Sequence, residues 1–160
     1  FYKKLSEHSI EGGDVIVDGH RVFIGIGHRT SMDAIKVLQK ELTDFDILPI
    51  VFNPKYLHLD CVFNILSAKD ALIFSDSLDK SMVELLSSMY NLIEVSESEQ
   101  FSMGTNVLSI GQNRVISLPI NHDVNLQMRQ HGYQVIEVDF SEIIKSGGSF
   151  RCCSMPIERR

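Results

Sequence analysis

The sequence predicts an α/β fold that is built from three consecutive ββαβ units within one domain. Three times along the chain, two apolar runs joined by a turn are followed by a helical pattern and then by another apolar run. Turn-forming residues lie near positions 19, 69 and 112, between the two runs of each pair. The length of 160 residues and the hydrophobic content of 44% suit one domain with a sizeable core.

The first unit opens with the predicted hairpin DVIVDGHRVFIGI, whose turn is Asp18-Gly19. The next segment, SMDAIKVLQKEL, places Ile35, Leu38 and Leu42 on one helical face. The run DILPIVF then predicts the third strand of the unit.

The second unit repeats this order. CVFNILSAKDALIFSD predicts a hairpin, SMVELLSSM has apolar residues at helical spacing, and NLIEV predicts the closing strand. Its hairpin turns near residue 69.

The third unit begins with the hairpin NVLSIGQNRVISLP, which turns at residues 111–113. A helix follows over NHDVNLQMRQHG, and we expect Asn121 or Asp123 to cap it and Gly132 to end it. YQVIEVDF predicts the last strand of the unit.

Units of this size cannot bury an apolar face alone, so neighbouring units are expected to stack around a shared core. We therefore expect apolar surface where further neighbours would pack, and pairing with those units or with a second copy of the chain as a homo-oligomer. The chain starts at Phe1 rather than at a methionine, which favours a piece of a longer protein.

Charge and cysteine content narrow the class of function. The formal net charge of −6, without a basic stripe, argues against nucleic acid as a partner. No apolar run approaches the ~20 residues of a membrane span, and no signal peptide opens the chain. Three cysteines, two of them adjacent, indicate free thiols in a reducing compartment, so we expect a cytoplasmic protein that contacts no membrane.

Candidate functional residues lie at the joints between units. IEGGDV, at 10–15, places Glu11 and a glycine pair before the first hairpin, where a simple turn is the alternative interpretation. GIGHRTS, at 25–31, places Arg29 before the first helix as a potential carboxylate clamp, although a solvated arginine explains it equally well.

The stretch YLHLDCVFNIL places His58 and Asp60 in an apolar, strand-like run. Residues two apart on a strand share a face, so these two side chains are expected to lie together. Burying a histidine and a carboxylate is costly unless they are paired or functional, which leaves a structural pair and a catalytic role as alternatives.

GGSFRCCSMP, at 147–156, places two cysteines after a glycine pair. We expect Gly147 and Gly148 to form a loop and FRCCSMPI to be a strand that ends near Pro156. Adjacent cysteines do not easily form a disulfide with each other. On a strand, the side chains of Cys152 and Cys153 would point to opposite faces.

A zinc site formed by His58, Cys61, Cys152 and Cys153 is a further alternative for these thiols. Its vicinal cysteines depart from the usual C-x₂₋₄-C ligand spacing. We therefore expect neither a metal nor another cofactor.

Four motifs together resemble the guanidino-group-modifying enzymes, which include arginine deiminase, dimethylarginine dimethylaminohydrolase and glycine amidinotransferase. The motifs occur in the order E-G-G-D, G-x-x-x-R-T, H-L-D and G-G-x-x-R-C-x-S-x-P, along nearly the whole chain. The resemblance implies a pentein fold, an α/β propeller of five ββαβ units around a central site. Residues 1–160 would be the C-terminal part of it, with about three of the five units.

The resemblance also implies roles for individual residues. Cys152 matches the family nucleophile, His58 the general acid/base, and Glu11 a carboxylate that holds the guanidinium. Asp60 matches the second guanidinium-binding carboxylate of deiminases and amidinotransferases, a position where dimethylarginine hydrolases usually have another residue. Arg29 matches an arginine that binds the α-carboxylate of the substrate.

The resemblance also implies a role for the glycine pair, because Gly147 and Gly148 would let the backbone approach the reacting carbon. Strand alternation predicts separately that Cys153 is a buried packing residue and that Arg151 faces away from Cys152. Two family features have no counterpart here: another aspartate from the N-terminal units, and the extra arginine that bacterial arginine deiminases often carry shortly before the cysteine.

The resulting hypothesis is a cysteine hydrolase of a guanidino C–N bond. It would convert arginine or an N-substituted arginine to citrulline plus ammonia or an amine, through a covalent thiouronium intermediate. The alternatives are an amidinotransferase, in which an amine replaces water, and a non-catalytic pentein fragment or binding module. In each case we expect a small guanidino compound as the ligand.

Overall fold

The computed structural model of the chain describes residues 8–155, and it has a mixed α/β fold, as the sequence predicts. It contains three separate three-stranded sheets, each made of strands that are consecutive in the chain. In every sheet an antiparallel hairpin is extended by a third strand that runs parallel to the second. A helix connects the two parallel strands, because a parallel pair needs a crossover connection.

The first unit consists of β1 (Val15–Asp18), β2 (Arg21–Ile26), α1 (Met32–Glu41) and β3 (Asp46–Val51). Gly19 has φ +59° in the turn between β1 and β2, a conformation that glycine adopts without strain. Ser31 caps α1, since its hydroxyl accepts the Ala34 N–H at 3.2 Å.

The second unit consists of β4 (Phe63–Ile65), β5 (Asp70–Ile73), α2 (Lys80–Ser87) and β6 (Asn91–Glu94). All four residues of β5 are buried, as is typical of a central strand that is covered on both faces. A short helix that the sequence pattern did not predict, α3 (Glu97–Phe101), leads to the third unit.

The third unit consists of β7 (Leu108–Ser109), β8 (Arg114–Ser117), α4 (His122–Gln130) and β9 (Gln134–Glu137), and α5 (Ser141–Ile144) follows it. Gly132, with φ +88°, ends α4 as predicted.

Asn121 is the N-cap residue of α4, one of the two predicted positions, but its side chain makes no capping hydrogen bond. The carboxylate of Glu99, on α3, accepts the N–H groups of Asp123 and Val124 at 2.8 and 3.0 Å. The Asn121 side chain instead exchanges hydrogen bonds with Ser102. A buried carboxylate from another element therefore binds the positive end of the helix.

The hydrophobic core lies between the units, in agreement with the expected stacking. One cluster joins the first two units, where the rings of Phe23 and Phe63 meet with centroids 5.8 Å apart. A second cluster joins the second and third units, where Leu72 of β5 packs with Val115 and Met128. A third, smaller cluster of Val22, Ile24 and Ile35 lies within the first unit. Neighbouring units thus bury apolar side chains against each other.

Apolar side chains also remain on the surface. Phe101 is 89% exposed, Ile120 61% and Val51 54%. Pairing through such a surface stays a prediction. Within residues 8–155, every helix is too short or too polar to cross a bilayer.

At each of the two contacts between neighbouring units, a tyrosine hydroxyl forms a hydrogen bond across the contact, and the two tyrosines occupy equivalent positions. Tyr90 and Tyr133 each immediately precede the last strand of their unit. Each hydroxyl reaches the hairpin of the preceding unit, where Tyr90 donates to Asp18 at 2.6 Å and Tyr133 to Asp70 at 2.9 Å. Partial burial and the neighbouring carboxylate raise the pKa of both phenols, that of Tyr133 to about 12.

Replacing either tyrosine by phenylalanine should destabilise the fold. Each substitution removes one hydrogen bond to a carboxylate, so we expect Tyr90→Phe and Tyr133→Phe each to lower the free energy of unfolding by about 1–2 kcal/mol. Urea denaturation measures this. Tyr56→Phe is the control, because the Tyr56 hydroxyl makes no hydrogen bond within residues 8–155. Losses no larger than in the control would contradict the proposed role of these joints.

Candidate active site

Most candidate residues lie in segments that precede the first strand of a unit or follow the last one, whereas Arg29 lies between β2 and α1. Glu11 precedes a 3₁₀ turn at Gly12–Asp14 and then β1, and His58 precedes a 3₁₀ turn at Leu59–Cys61 and then β4. These two turns contact each other, as do β1 and β4.

His58 and Asp60 do not lie on a strand, which corrects the prediction from the sequence. His58 has an extended backbone, and Asp60 lies inside the 3₁₀ turn that the Cys61 N–H closes on the His58 carbonyl at 3.2 Å. The buried Asp14 carboxylate accepts the Leu59 N–H at 2.9 Å and stabilises this turn. A strand ladder therefore never forms here.

The partner of His58 is Glu11 rather than Asp60. The His58 Nε2 lies 2.6 Å from the Glu11 Oε2, and the imidazole is mostly buried. The ring packs directly over Gly13, where an added Cβ would lie 2.6 Å from the His58 Cγ. The glycine of the E-G-G-D motif therefore provides the space for the imidazole.

Asp14 and Thr30 hold the backbone on both sides of the Glu11–His58 pair through hydrogen bonds. The Thr30 hydroxyl donates to the Asp14 Oδ2 at 2.6 Å and accepts the Glu11 N–H at 3.1 Å. Both side chains are fully buried, so their polar groups need these partners. This network connects the Glu11 backbone with the backbone that carries His58.

Arg29 lies against Glu11, with its Nη1 3.3 Å from the Glu11 Oε1. The hydrogen bond from His58 is the largest cause that lowers the pKa of Glu11, and the charge of Arg29 acts in the same direction. Glu11 is therefore ionised and shared between a histidine and an arginine. Binding of a substrate carboxylate by Arg29 stays a prediction.

Asp60 is almost completely buried and lies among sulfur and guanidinium groups. Its Oδ2 is 3.7 Å from the Cys152 Sγ and 3.7 Å from the Arg151 Nε, and its Oδ1 is 3.8 Å from the Cys61 Sγ. Burial raises the pKa of Asp60, although Arg151 and His58 act in the opposite direction.

The segment that carries Cys152 is a series of turns, so the predicted strand is wrong. The Cys153 N–H binds the Ser149 carbonyl at 3.1 Å, and the Ser154 N–H binds the Arg151 carbonyl at 3.2 Å. The predicted strand end at Pro156 lies outside the described residues.

The glycine pair before this segment has a physical role at both positions. Gly147 has φ +89°, which favours glycine. A Cβ on Gly148 would lie 3.2 Å from the Cys152 Cβ, so the missing side chain leaves room for the cysteine.

Two expectations that depended on strand alternation are also wrong. Cys153 is exposed rather than a buried packing residue. Arg151 does not face away from the cysteine, because its guanidinium contacts Asp60 and donates to the Val15 carbonyl at 3.1 Å. Both predictions assumed a strand, and in a turn successive side chains do not alternate between two faces.

The thiols differ in their surroundings. Partial burial of the sulfur and the charge of Asp60 raise the pKa of Cys152. Burial raises the pKa of Cys61 to about 12, so this thiol is neutral at physiological pH. Within residues 8–155, no group of three or more His, Cys, Asp or Glu side chains is arranged to hold a metal ion.

The structure thus brings Glu11 into contact with His58 and Asp60 into contact with Cys152, and the 3₁₀ turn at Leu59–Cys61 joins the two pairs through the backbone. The sequence motifs did not include Asn106, which contacts Cys152, and they contained Asp14 and Thr30 without indicating the hydrogen bond between them. Asn106 stands first in the run NVLSI, and it resembled the start of a strand. The one available signal was its position, since it precedes the third hairpin much as Asp14 precedes the first.

Comparison with known proteins decides the family. The family model described as "N,N dimethylarginine dimethylhydrolase, eukaryotic" matches residues 2–159. The chain belongs to this dimethylarginine dimethylaminohydrolase family. The family is part of the guanidino-group-modifying superfamily, and the resemblance inferred from the motifs is confirmed.

Curated relatives agree with this assignment. The chain is 52% identical to the uncharacterized protein YkgA of Bacillus subtilis, across 99% of the chain and 55% of the relative. It is 30% identical to the dimethylarginine dimethylaminohydrolase of Mycobacterium tuberculosis, across 95% of the chain and 51% of that enzyme. It is also 30% identical to the arginine deiminase of Oenococcus oeni, across 94% of the chain and 46% of that enzyme. The chain therefore spans about half the length of the curated relatives it matches.

Solved structures show the same fold. An amidinotransferase of Microseira wollei superposes with a TM-score of 0.86 at 22% identity, covering 98% of this chain and 50% of that protein. The dimethylarginine dimethylaminohydrolase of Pseudomonas aeruginosa, solved with citrulline, superposes with a TM-score of 0.76 at 25% identity. That match covers 89% of this family member and 54% of the solved chain.

Removing the Asp60 charge should make Cys152 more acidic. In Asp60→Asn the sulfur loses a neighbouring negative charge while Arg151 keeps its positive charge, so we expect the pKa of Cys152 to fall by on the order of one unit. The pH dependence of iodoacetamide labelling, followed by peptide mapping, measures this shift. Asp76→Asn, an exposed carboxylate in a different loop, is the control. A midpoint that stays in place or rises in Asp60→Asn would show that Asp60 does not control this thiol.

Proposed function

We propose that this chain carries the nucleophile and part of the guanidinium-binding site of a hydrolase. Its substrate would be arginine or an N-substituted arginine, which would yield citrulline and ammonia or an amine. The main support is the contact of Asp60 with both the Cys152 sulfur and a guanidinium group, that of Arg151. A carboxylate in this position can hold a guanidinium next to a sulfur nucleophile.

In this mechanism Asp60 and Glu11 hold the planar cation, and the Cys152 sulfur attacks its central carbon. The Cys152 thiol first gives its proton to His58. An S–C bond then forms, a C–N bond breaks, and the departing amine takes that proton from His58. The product of this step is a covalent thiouronium. Because Glu11 hydrogen-bonds the imidazole, it also orients His58 for the proton transfer.

Hydrolysis completes the cycle. His58, now neutral, takes a proton from a water molecule, and the oxygen attacks the thiouronium carbon. The S–C bond then breaks, so that the ureido product leaves and the thiol is regenerated. The chemistry needs no redox step or additional group.

The raised pKa of Cys152 suits a thiol that is activated by its substrate. Without a ligand, the Asp60 charge disfavours the thiolate. A bound guanidinium would neutralise that charge and favour the thiolate next to the carbon that it attacks. Thus the reactive form would accumulate mainly when a substrate is present.

Because the chain spans about half the length of its relatives, we propose that further substrate contacts come from other units of a pentein propeller. The three stacked sheets would be successive units around the central site. Each open end would then receive a neighbouring unit, consistent with the exposed apolar residues such as Ile120.

Substitution of the cysteines tests the proposed nucleophile. We expect the protein to form a ureido compound from arginine or a methylated arginine in a colorimetric assay. Cys152→Ser should lower turnover by at least about 1,000-fold, because a serine hydroxyl is a far weaker nucleophile than a thiolate. Cys153→Ser, an exposed neighbour of the same type, is the matched control and should retain activity. Unchanged turnover in Cys152→Ser would exclude the mechanism, and binding without any product would favour a non-catalytic binding module.

An acceptor amine separates hydrolysis from amidino transfer. For a hydrolase, adding glycine or ornithine to the assay should leave the yield of ureido product unchanged, since water is the second nucleophile. For an amidinotransferase, mass spectrometry should detect the amidino group on the acceptor, with less ureido product. That second result would overturn the hydrolase proposal while keeping the role of Cys152.

A further inference from the structure

Asn106 is a fully buried amide between the third unit and the segment that carries Cys152. It lies two residues before β7, where its own N–H closes a turn on the Met103 carbonyl at 3.0 Å. Met103 has φ +63°, an uncommon conformation for a residue other than glycine. This turn directs the amide towards the cysteine.

The contacts of this amide define its orientation. The Oδ1 accepts the Cys152 N–H at 3.4 Å. The Nδ2 lies 3.3 Å from the Cys152 Sγ and 3.4 Å from the Asp60 carbonyl oxygen. Since an amide nitrogen can only donate and its oxygen can only accept, the reverse orientation would lose the hydrogen bonds to the Cys152 N–H and to the Asp60 carbonyl. Asn106 therefore binds both the backbone and the sulfur of Cys152.

Asp14 occupies the corresponding place in the first unit. Its N–H closes a turn on the Glu11 carbonyl at 3.0 Å, and its Oδ1 accepts the Leu59 N–H at 2.9 Å. In both units a buried polar residue before the first strand holds the backbone of the next site segment. The third unit uses an amide, which can also donate to a sulfur, whereas a carboxylate would repel a thiolate.

We propose that Asn106 is a positioning residue for the Cys152 nucleophile, which it holds at the backbone and stabilises as a thiolate through the Nδ2. This inference rests on the proposed function for its catalytic meaning. Its physical content is independent of turnover, because it concerns the acidity and orientation of one thiol.

Several charged groups surround this sulfur. The Asp60 carboxylate opposes the thiolate, and Arg151 on the same carboxylate partly offsets that effect. Cys61 lies on the other oxygen of Asp60 and remains protonated. The hydrogen bond from Asn106 is the one direct side-chain donor to the Cys152 sulfur that we find within residues 8–155. Its loss should therefore shift the balance towards the neutral thiol.

Asn106→Asp and Asn106→Ala test this role. Asn106→Asp has nearly the same shape but replaces the donor by a negative charge, and Asn106→Ala removes both contacts. We expect the midpoint of the pH profile for iodoacetamide labelling of Cys152 to rise in both variants. In Asn106→Asp the rise should be about one pH unit, which corresponds to labelling about tenfold slower below the midpoint. Turnover of the proposed substrate should show a lower kcat with a smaller change in KM.

Asn125→Ala is the matched control. Asn125 is also fully buried in the third unit, but it donates to the Leu118 carbonyl and does not contact Cys152. The Asn125→Ala substitution should lower the melting temperature without shifting the pH profile of Cys152 labelling. If neither Asn106 variant folds by circular dichroism, Asn106→Ser, which keeps a small polar group, decides by the same readout.

Two results separate this inference from the proposed function. Folded Asn106 variants whose labelling profile matches that of the parent protein would overturn the role of Asn106, whatever the protein catalyses. A shifted profile in a protein that hydrolyses no guanidino compound would overturn the proposed function and leave the control of this thiol by Asn106 intact.

Discussion

The buried carboxylate of Asp14 is the interaction on which the candidate site depends most. It binds the Thr30 hydroxyl with one oxygen and the Leu59 N–H with the other. Through these two bonds the first unit determines the backbone path of the second at the point where His58 and Asp60 diverge. A buried carboxylate without partners would cost several kcal/mol, so the three segments are coupled strongly. Losing either partner would leave one oxygen of this buried carboxylate without the hydrogen bond that it accepts.

The electrostatics of the site follow from this coupling. The 3₁₀ turn directs His58 to the half-exposed Glu11 and buries Asp60 beside the Cys152 sulfur. Two carboxylates therefore have different properties: the one at the surface is readily ionised, and the buried one has a raised pKa. Such a pair of carboxylates can bind a cationic ligand. When no cation is bound, the negative charge of Asp60 disfavours the thiolate of Cys152.

Repetition explains how a modest chain assembles this arrangement. Each unit buries its apolar face against the next, and Tyr90 and Tyr133 fasten the two joints with the same type of hydrogen bond. Contact between the turns at Gly12–Asp14 and Leu59–Cys61 then brings Glu11 and His58 together. Asp14 and Asn106 have the same role in two units: each accepts a backbone N–H of another segment, Asp14 with a carboxylate and Asn106 with an amide.

The sequence by itself determined the mixed α/β class, the three repeats and most helix and strand positions. Those features depend on residues a few positions apart, such as the turn at Gly19 and the helix end at Gly132. The motifs also identified the guanidino-group-modifying superfamily.

Only the tertiary structure decided which residues meet. The contact between Glu11 and His58 spans 47 residues, and the contact between Asp60 and Cys152 spans 92. Periodicity has no information on such partners. For this reason the strand predictions failed at 56–61 and 150–155, where Asp14 and the turns after Gly148 set the backbone. Asn106 escaped notice for the same reason: its role exists only where the third unit and the cysteine segment are packed together.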